Sequence, residues 1–149
     1  MVFRPDVNKK YFEQSFQTIE THTAGEPTRI IVAGFPEPEG STMMERKVFY
    51  EKNYDAYRQA LMAEPRGHHD MVGALLMEPA NPEADLGVIY MDTNRWINMC
   101  GHATIGCATT AVETGLFPIT EPYTRIKFDT PAGMVHTIVK VEKGKAIEL

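Results

Sequence analysis

Gly101-His102-Ala103-Thr104-Ile105-Gly106-Cys107-Ala108-Thr109-Thr110-Ala111-Val112-Glu113-Thr114 is the stretch that decides the fold. It is built almost wholly from Gly, Ala, Thr and Cys, with Glu113 as its single acidic residue. Ile105 and Val112 add apolar bulk, and Leu116 follows just beyond. Gly115 stands where a helix C-cap is expected. A helix this slim and this apolar is expected to be buried all round. Strand-like segments lie on both sides of it in the chain. The expected arrangement is therefore a sheet or barrel wrapped around one central helix.

The flanking segments fit that picture. Ser15 to Glu20 alternates roughly, and Thr28 to Val32 is rich in β-branched residues, so both read as strands. Gly34 to Gly40 carries Phe35-Pro36-Glu37-Pro38-Glu39 and reads as a loop. Glu45 to Ala63 reads as helical in its second half, where Tyr54, Tyr57 and Leu61 recur at helical spacing before Pro65. Gly73 to Met77 and Leu86 to Asp92 are apolar runs of buried-strand type. Thr124 to Asp129 and Met134 to Val141 complete the set, with a turn at Pro131-Ala132-Gly133.

Composition narrows the function. A chain of 149 residues with 43% hydrophobic residues suits one domain with a real core. A net charge of −5 with no basic cluster argues against nucleic acid. No apolar run is long enough to span a membrane. Met1 to Lys10 lacks the charged-then-apolar pattern of a leader. Cys100 and Cys107 lie two helical turns apart, about 10 Å of rise, beyond what a disulfide tolerates. Reduced thiols and a cytoplasmic location follow as the expectation.

The chemistry centres on Met99-Cys100-Gly101-His102. Cys100 sits where a strand and loop hand over to the helix. A helix N-terminus carries partial positive charge and unpaired N–H groups. These are expected to lower a thiol's pKa and can also hold a carboxylate. Gly101 leaves bare backbone for a ligand to approach. His102 reads equally as an acid/base, a hydrogen-bond donor to substrate, or a helix-start residue facing solvent. Cys107, mid-helix among Ala and Thr, reads as packing.

Two further segments gather polar groups. His22-Thr23-Ala24-Gly25-Glu26-Pro27-Thr28-Arg29 reads as a turn between strands with an ion-pair network. Glu64-Pro65-Arg66-Gly67-His68-His69-Asp70 invites a metal reading. Adjacent histidines point different ways, however, and the paired spacings of structural zinc are missing. His22, Glu26, His68 and Asp70 are mostly expected to brace local structure. No phosphate loop, nucleophile elbow or dinucleotide fingerprint is present.

Together these three segments resemble the proline racemase family, which includes proline racemases, 4-hydroxyproline epimerases and trans-3-hydroxyproline dehydratases. The resemblance rests on His22 to Arg29, on Glu64 to His68 with Asp70-Met71, on Asn98 to Gly106, and on Pro131-Ala132-Gly133. It runs from about Phe16 to the last residue. Ala103 departs from the glycine often found there. The resemblance implies an α+β fold similar to diaminopimelate epimerase, in which two like domains, each a curved, mostly antiparallel sheet or barrel wrapped around a central helix, face each other across a cleft. It implies Cys100 as one of two acid/base groups flanking the substrate α-carbon, and N–H groups of Gly101 and His102 as the grip on the substrate carboxylate. Neither cofactor nor metal is implied.

Family members are longer, and the second base lies in the second domain. The resemblance therefore implies that residues 1–149 form the N-terminal domain and one face of the cleft, poorly active or inactive alone. The expected partners are proline or hydroxyproline and a complementary C-terminal domain or partner chain, with a homo-oligomer open. A second cysteine opposite Cys100 would favour a racemase or epimerase; a threonine would favour the dehydratase. Two other classes stand beside this one. One is a non-catalytic domain that binds a small carboxylate or a partner. The other is a redox or hydrolytic thiol enzyme, for which no resolving cysteine or Cys–His–Asn set is recognised.

Overall fold

The computed structural model describes residues 11–149. The leader reading of Met1 to Lys10 lies outside the described residues. The elements are β1 (Gln17–Thr23), β2 (Glu26–Ala33), α1 (Met43–Asn53), α2 (Asp55–Met62), β3 (Val72–Met77), β4 (Leu86–Asp92), β5 (Trp96–Ile97), α3 (Gly101–Glu113), β6 (Tyr123–Thr130), β7 (Gly133–Glu142) and β8 (Lys145–Glu148). The strands form one 8-stranded sheet in the order β1-β2-β3-β4-β6-β7-β8, with β5 paired to β4. Pairings β2–β3 and β4–β6 are parallel. The other five are antiparallel.

The sheet curls around α3, which packs against β1, β2 and β3 on one side and β7 and β8 on the other. Small side chains on α3 permit this close approach. A Cβ at Gly106 would meet Thr21 Cγ2 at 3.1 Å, so the helix sits nearly on β1. Both edge strands are tied to the helix ends. Thr23 Oγ1 donates to the His102 carbonyl at 3.0 Å, and the Ala146 N–H donates to Glu113 at 3.1 Å. The α+β class and the central helix match expectation. Burial of α3 is not complete: Ile105 and Thr109 are only partly covered.

The other face of the sheet is covered by α1 and α2. Alternate residues of the same strands therefore enter two cores. Ile30, Ala74, Val88 and Tyr90 face α3, whereas Ile31, Leu75, Ile89 and Met91 join Tyr50, Leu61, Met62 and Trp96. Burial on both faces explains why these strands read as unbroken apolar runs.

The helical reading of Glu45 to Ala63 is corrected in its first half. Residues Met43–Asn53 are already helical, capped by Thr42, whose side chain accepts the Glu45 N–H at 3.1 Å. Glu45 returns a bond to the Ser41 N–H at 2.7 Å. This is the signal of a helix start, carried by polar residues rather than by apolar spacing. The short strands β5 and β8 were also not read from sequence.

Arg58, on α2, is buried and paired with Asp55 at 2.6 Å. It also donates to the carbonyls of Asp92 and Thr93 at 3.0 and 2.8 Å. The hydrogen bond from Arg58, with others from Gln59 and Trp96, lowers the Asp55 pKa from an ordinary 3.8 to about 2. A depressed carboxylate stabilises the fold above its unfolded pKa, and that contribution is lost as pH falls through the folded value. Asp55→Asn is expected to cost about 2 kcal/mol at pH 7, less than a fully buried pair because part of the carboxylate meets water. The difference from wild type should shrink between pH 4 and pH 2, measured by urea unfolding. An equal difference at pH 7 and pH 2 would rule this account out.

Candidate active site

The path into the site is pinned from behind. Asp92, at the end of β4, accepts the N–H groups of Asn94 and Arg95 at 2.7 and 2.8 Å, closing a tight turn. Trp96 then enters the core, stacks on Tyr50 at 5.9 Å and donates to Asp55 at 2.9 Å. Asn98 and Met99 are exposed, and Cys100 follows as the N-cap of α3.

Cys100 is extended, with φ −144° and ψ 112°, and its side chain makes no capping hydrogen bond. It is half-buried, and its Sγ lies 3.4 Å from His102 Nδ1. The first N–H groups of α3 have no acceptor within the helix, by helix geometry. Gly101 is exposed, and a Cβ built on it would meet nothing within 4 Å. The structure thus brings Cys100, Gly101 and His102 together at one open helix end. The His102 ring turns to the thiol rather than to solvent, and its Nε2 is buried without a partner among the described residues.

The expected direction of the thiol's titration is corrected. Burial is the largest influence and pushes the Cys100 pKa up. The N–H groups of Ala103 and His102 pull it down, as the helix start predicts, while Glu26 and Asp92 push it up. Desolvation and two nearby carboxylates outweigh the helix terminus. At neutral pH Cys100 rests as a thiol in this chain. Cys107 lies wholly in the core, where burial raises its pKa far more.

Behind the thiol is a buried polar chain. Tyr90, wholly buried on β4, has its hydroxyl 2.6 Å from Thr104 Oγ1. Thr104 Oγ1 donates to the Cys100 carbonyl at 2.7 Å, and the Thr104 N–H donates to the same oxygen at 3.0 Å.

The remaining polar segments lie elsewhere or do other work. The strands run through the first: only Ala24 and Gly25 form the turn, both with positive φ, and the Gly25 N–H donates to His22 Nδ1 at 3.1 Å. Arg29 pairs with Glu20 at 2.8 Å and donates to the Leu61 carbonyl at 2.6 Å, so the expected ion-pair network within this segment is replaced by a cross-strand pair. Glu26, expected to brace, contributes negative potential at Cys100. His68 Nδ1 accepts the Asp70 N–H at 3.2 Å, and His69 lies 3.1 Å from Asp70 at the surface. No group of three or more metal-ligating side chains occurs among the described residues. No helix there is long and apolar enough to cross a membrane. Tyr90 and Asp92 were missed in the sequence. Tyr90 reads there as one more apolar strand residue, and Asp92 as a strand terminus.

The family model described as proline racemase matches residues 18–149. Over 93% of its length the chain is 49% identical to a proline racemase of Clostridioides difficile, covering 41% of that protein. It is 48% identical to a 4-hydroxyproline 2-epimerase of Streptosporangium roseum, with 88% of this chain and 39% of that protein covered. In fold it is similar to a hydroxyproline epimerase from Agrobacterium vitis, solved with bound trans-4-hydroxy-L-proline, with a TM-score of 0.84 at 23% identity over 91% of this chain and 40% of that one. The chain spans about two fifths of the length of the curated relatives it matches. By sequence, and with a fold to match, the chain belongs to the proline racemase family.

Proposed function

We propose that this chain forms the N-terminal domain, and one face of the cleft, of an isomerase that inverts the α-carbon of proline or hydroxyproline. The observation that carries this reading is the open helix start, where the Cys100 thiol and the first N–H groups of α3, those of Gly101 and His102, share one mouth beside a bare glycine. The substrate carboxylate would sit on those N–H groups, with its α-carbon beside Sγ. Donors aimed at the carboxylate stabilise the charge that develops as the α-proton leaves. Inversion needs a thiol on one face and a base on the other. As a thiol, Cys100 is poised to deliver a proton; in the reverse direction its thiolate removes one. A complementary C-terminal domain or partner chain supplies the facing base. The reading places the protein in the cytoplasm, where thiols stay reduced, and uses no cofactor.

The same first step serves the dehydratase alternative. If the facing group cannot return a proton to the α-carbon, the 3-hydroxyl can leave as water, taking up the α-proton that Cys100 removed. The facing group therefore decides between the outcomes.

The test is proton NMR in deuterated buffer with L-proline, cis- and trans-4-hydroxyproline and trans-3-hydroxyproline. The chain is assayed alone and with the C-terminal half of a relative. Saturable loss of the α-proton signal from one of these substrates is expected, and that substrate names the reaction. No exchange in either form would overturn the proposal.

Gly101 offers a second check. Gly101→Ala puts a methyl into open space, so folding should be unaffected. It should raise the substrate KM about tenfold by crowding the carboxylate grip. An unchanged KM in the completed enzyme would remove Gly101 from the binding site.

A further inference from the structure

We infer that Thr104, with Tyr90 behind it, is a positioning device that aims the Gly101 N–H at the mouth beside Cys100. The inference rests on the reading of this mouth as a carboxylate grip, and it goes beyond that reading to residues no ligand would touch.

The direction of the hydrogen-bond chain is set by proton count. Thr104 Oγ1 carries one proton. Its acceptors are the Cys100 carbonyl at 2.7 Å and Met99 Sδ at 3.9 Å. The short bond to the carbonyl wins over a long one to a weak sulfur acceptor. Tyr90 must then be the donor in its 2.6 Å contact with Thr104. The order is Tyr90 O–H to Thr104 O–H to Cys100 C=O. Bonds in such a chain polarise one another.

The Cys100 carbonyl and the Gly101 N–H belong to one planar peptide and point opposite ways. Two donors from Thr104, hydroxyl and N–H, draw that carbonyl toward the helix interior. The Gly101 N–H is thereby turned outward, away from the helix. An ordinary N-cap carbonyl has only the helical N–H to hold it, and a first turn frays readily.

The location of Tyr90 supports the assignment. Its ring lies in the apolar cluster of Ala103, Cys107, Ala108, Val88 and Ala74. Phe would fill the same space with no hydroxyl to desolvate. The hydroxyl reaches only toward the helix start, through a wholly buried contact.

The test uses this chain and the alkylation of Cys100 by two reagents of similar size. Iodoacetate is an anion and iodoacetamide is neutral. In both, the thiolate sulfur bonds to the methylene carbon and iodide leaves. The ratio of the two rates cancels changes in thiol reactivity and access, and reports the pull on a carboxylate at this mouth. Glu26 on β2, Asp92 on β4 and His102 on α3 face the thiol, with Tyr90 and Cys107 behind, and the ratio is followed across pH. Mass spectrometry assigns the label to Cys100 rather than the buried Cys107.

Thr104→Val, which keeps shape and loses the hydroxyl, should lower the iodoacetate-to-iodoacetamide ratio about five- to tenfold, and Thr104→Ser should restore it. Tyr90→Phe should lower it about threefold, because Thr104 keeps its own bond. A wild-type ratio in folded Thr104→Val overturns the inference. Should Thr104→Val fail to fold, a wild-type ratio in Tyr90→Phe does so instead. The ratio requires no turnover, so it separates from the proposed reaction. If the NMR assay shows no exchange while the ratio still falls in Thr104→Val, the isomerase reading fails and the positioning role stands.

Discussion

Cys100→Ser should abolish α-proton exchange in the completed enzyme, by at least about a thousandfold, while leaving the fold intact or firmer. The two effects have one origin. Cys100 occupies an N-cap position, yet its sulfur, a weak acceptor, draws on the N–H groups of Ala103 and His102 without closing a capping hydrogen bond. Serine is among the best N-caps and would accept the N–H of His102 or Ala103, a gain of about 0.5–1 kcal/mol. Its hydroxyl, however, is far too weak an acid to give an alkoxide in place of the thiolate that removes an α-proton. A position where the better cap destroys activity is one held for chemistry. Exchange is read by NMR and stability by urea unfolding of the same samples. Exchange at the wild-type rate in the serine variant would sink the assignment of Cys100 as acid/base. Lost exchange with lost stability would show instead that the thiol is a packing element.

The second large effect concerns the fold behind the site. Gly67→Ala is expected to cost about 3 kcal/mol, near the upper end for overpacking. A Cβ at Gly67 would lie 2.0 Å from the Met62 carbonyl oxygen and 2.4 Å from its carbon. Both are backbone atoms at the end of α2, so no rotamer change relieves the overlap. The Gly67 N–H also donates to the Ala63 carbonyl at 2.9 Å, which holds the loop in that contact. The disturbance should reach the site. The Leu61 carbonyl holds Arg29, and the His69 carbonyl accepts from Thr93 in the turn that leads to Cys100. Gly101→Ala, whose Cβ meets nothing, is the control. Wild-type stability in Gly67→Ala would mean that the end of α2 moves at no cost, and that the glycine is held there for another reason.

His68, His69 and Asp70, whose spacing already speaks against a metal site, show how neighbours in the chain part company in the fold. Side by side in the chain, these groups look like ligands. In the fold, His68 turns to its own loop while His69 and Asp70 meet at the surface. Glu26 errs in the other direction. In sequence it is one residue of a polar turn. The hairpin of β1 and β2 carries it close enough to Cys100 for its charge to oppose ionisation of the thiol.

Local composition dictated the central helix, because a run of Gly, Ala, Thr and Cys has little polar face to give to water and is largely enclosed. It also determined that a thiol stands at that helix's start, and that buried strands flank it, since both are properties of neighbouring residues. The titration of the thiol depends instead on what packs around it. The helix start lowers it locally, but burial, Glu26 and Asp92 reverse the balance, and burial and charge depend on what packs from a distance. The same holds for the aim of the Gly101 N–H. Tyr90 and Thr104 lie 14 residues apart, and nothing in either local pattern says that their hydroxyls meet. Periodicity records which side chains are apolar; only the packed chain fixes which polar atoms are left to find one another inside it.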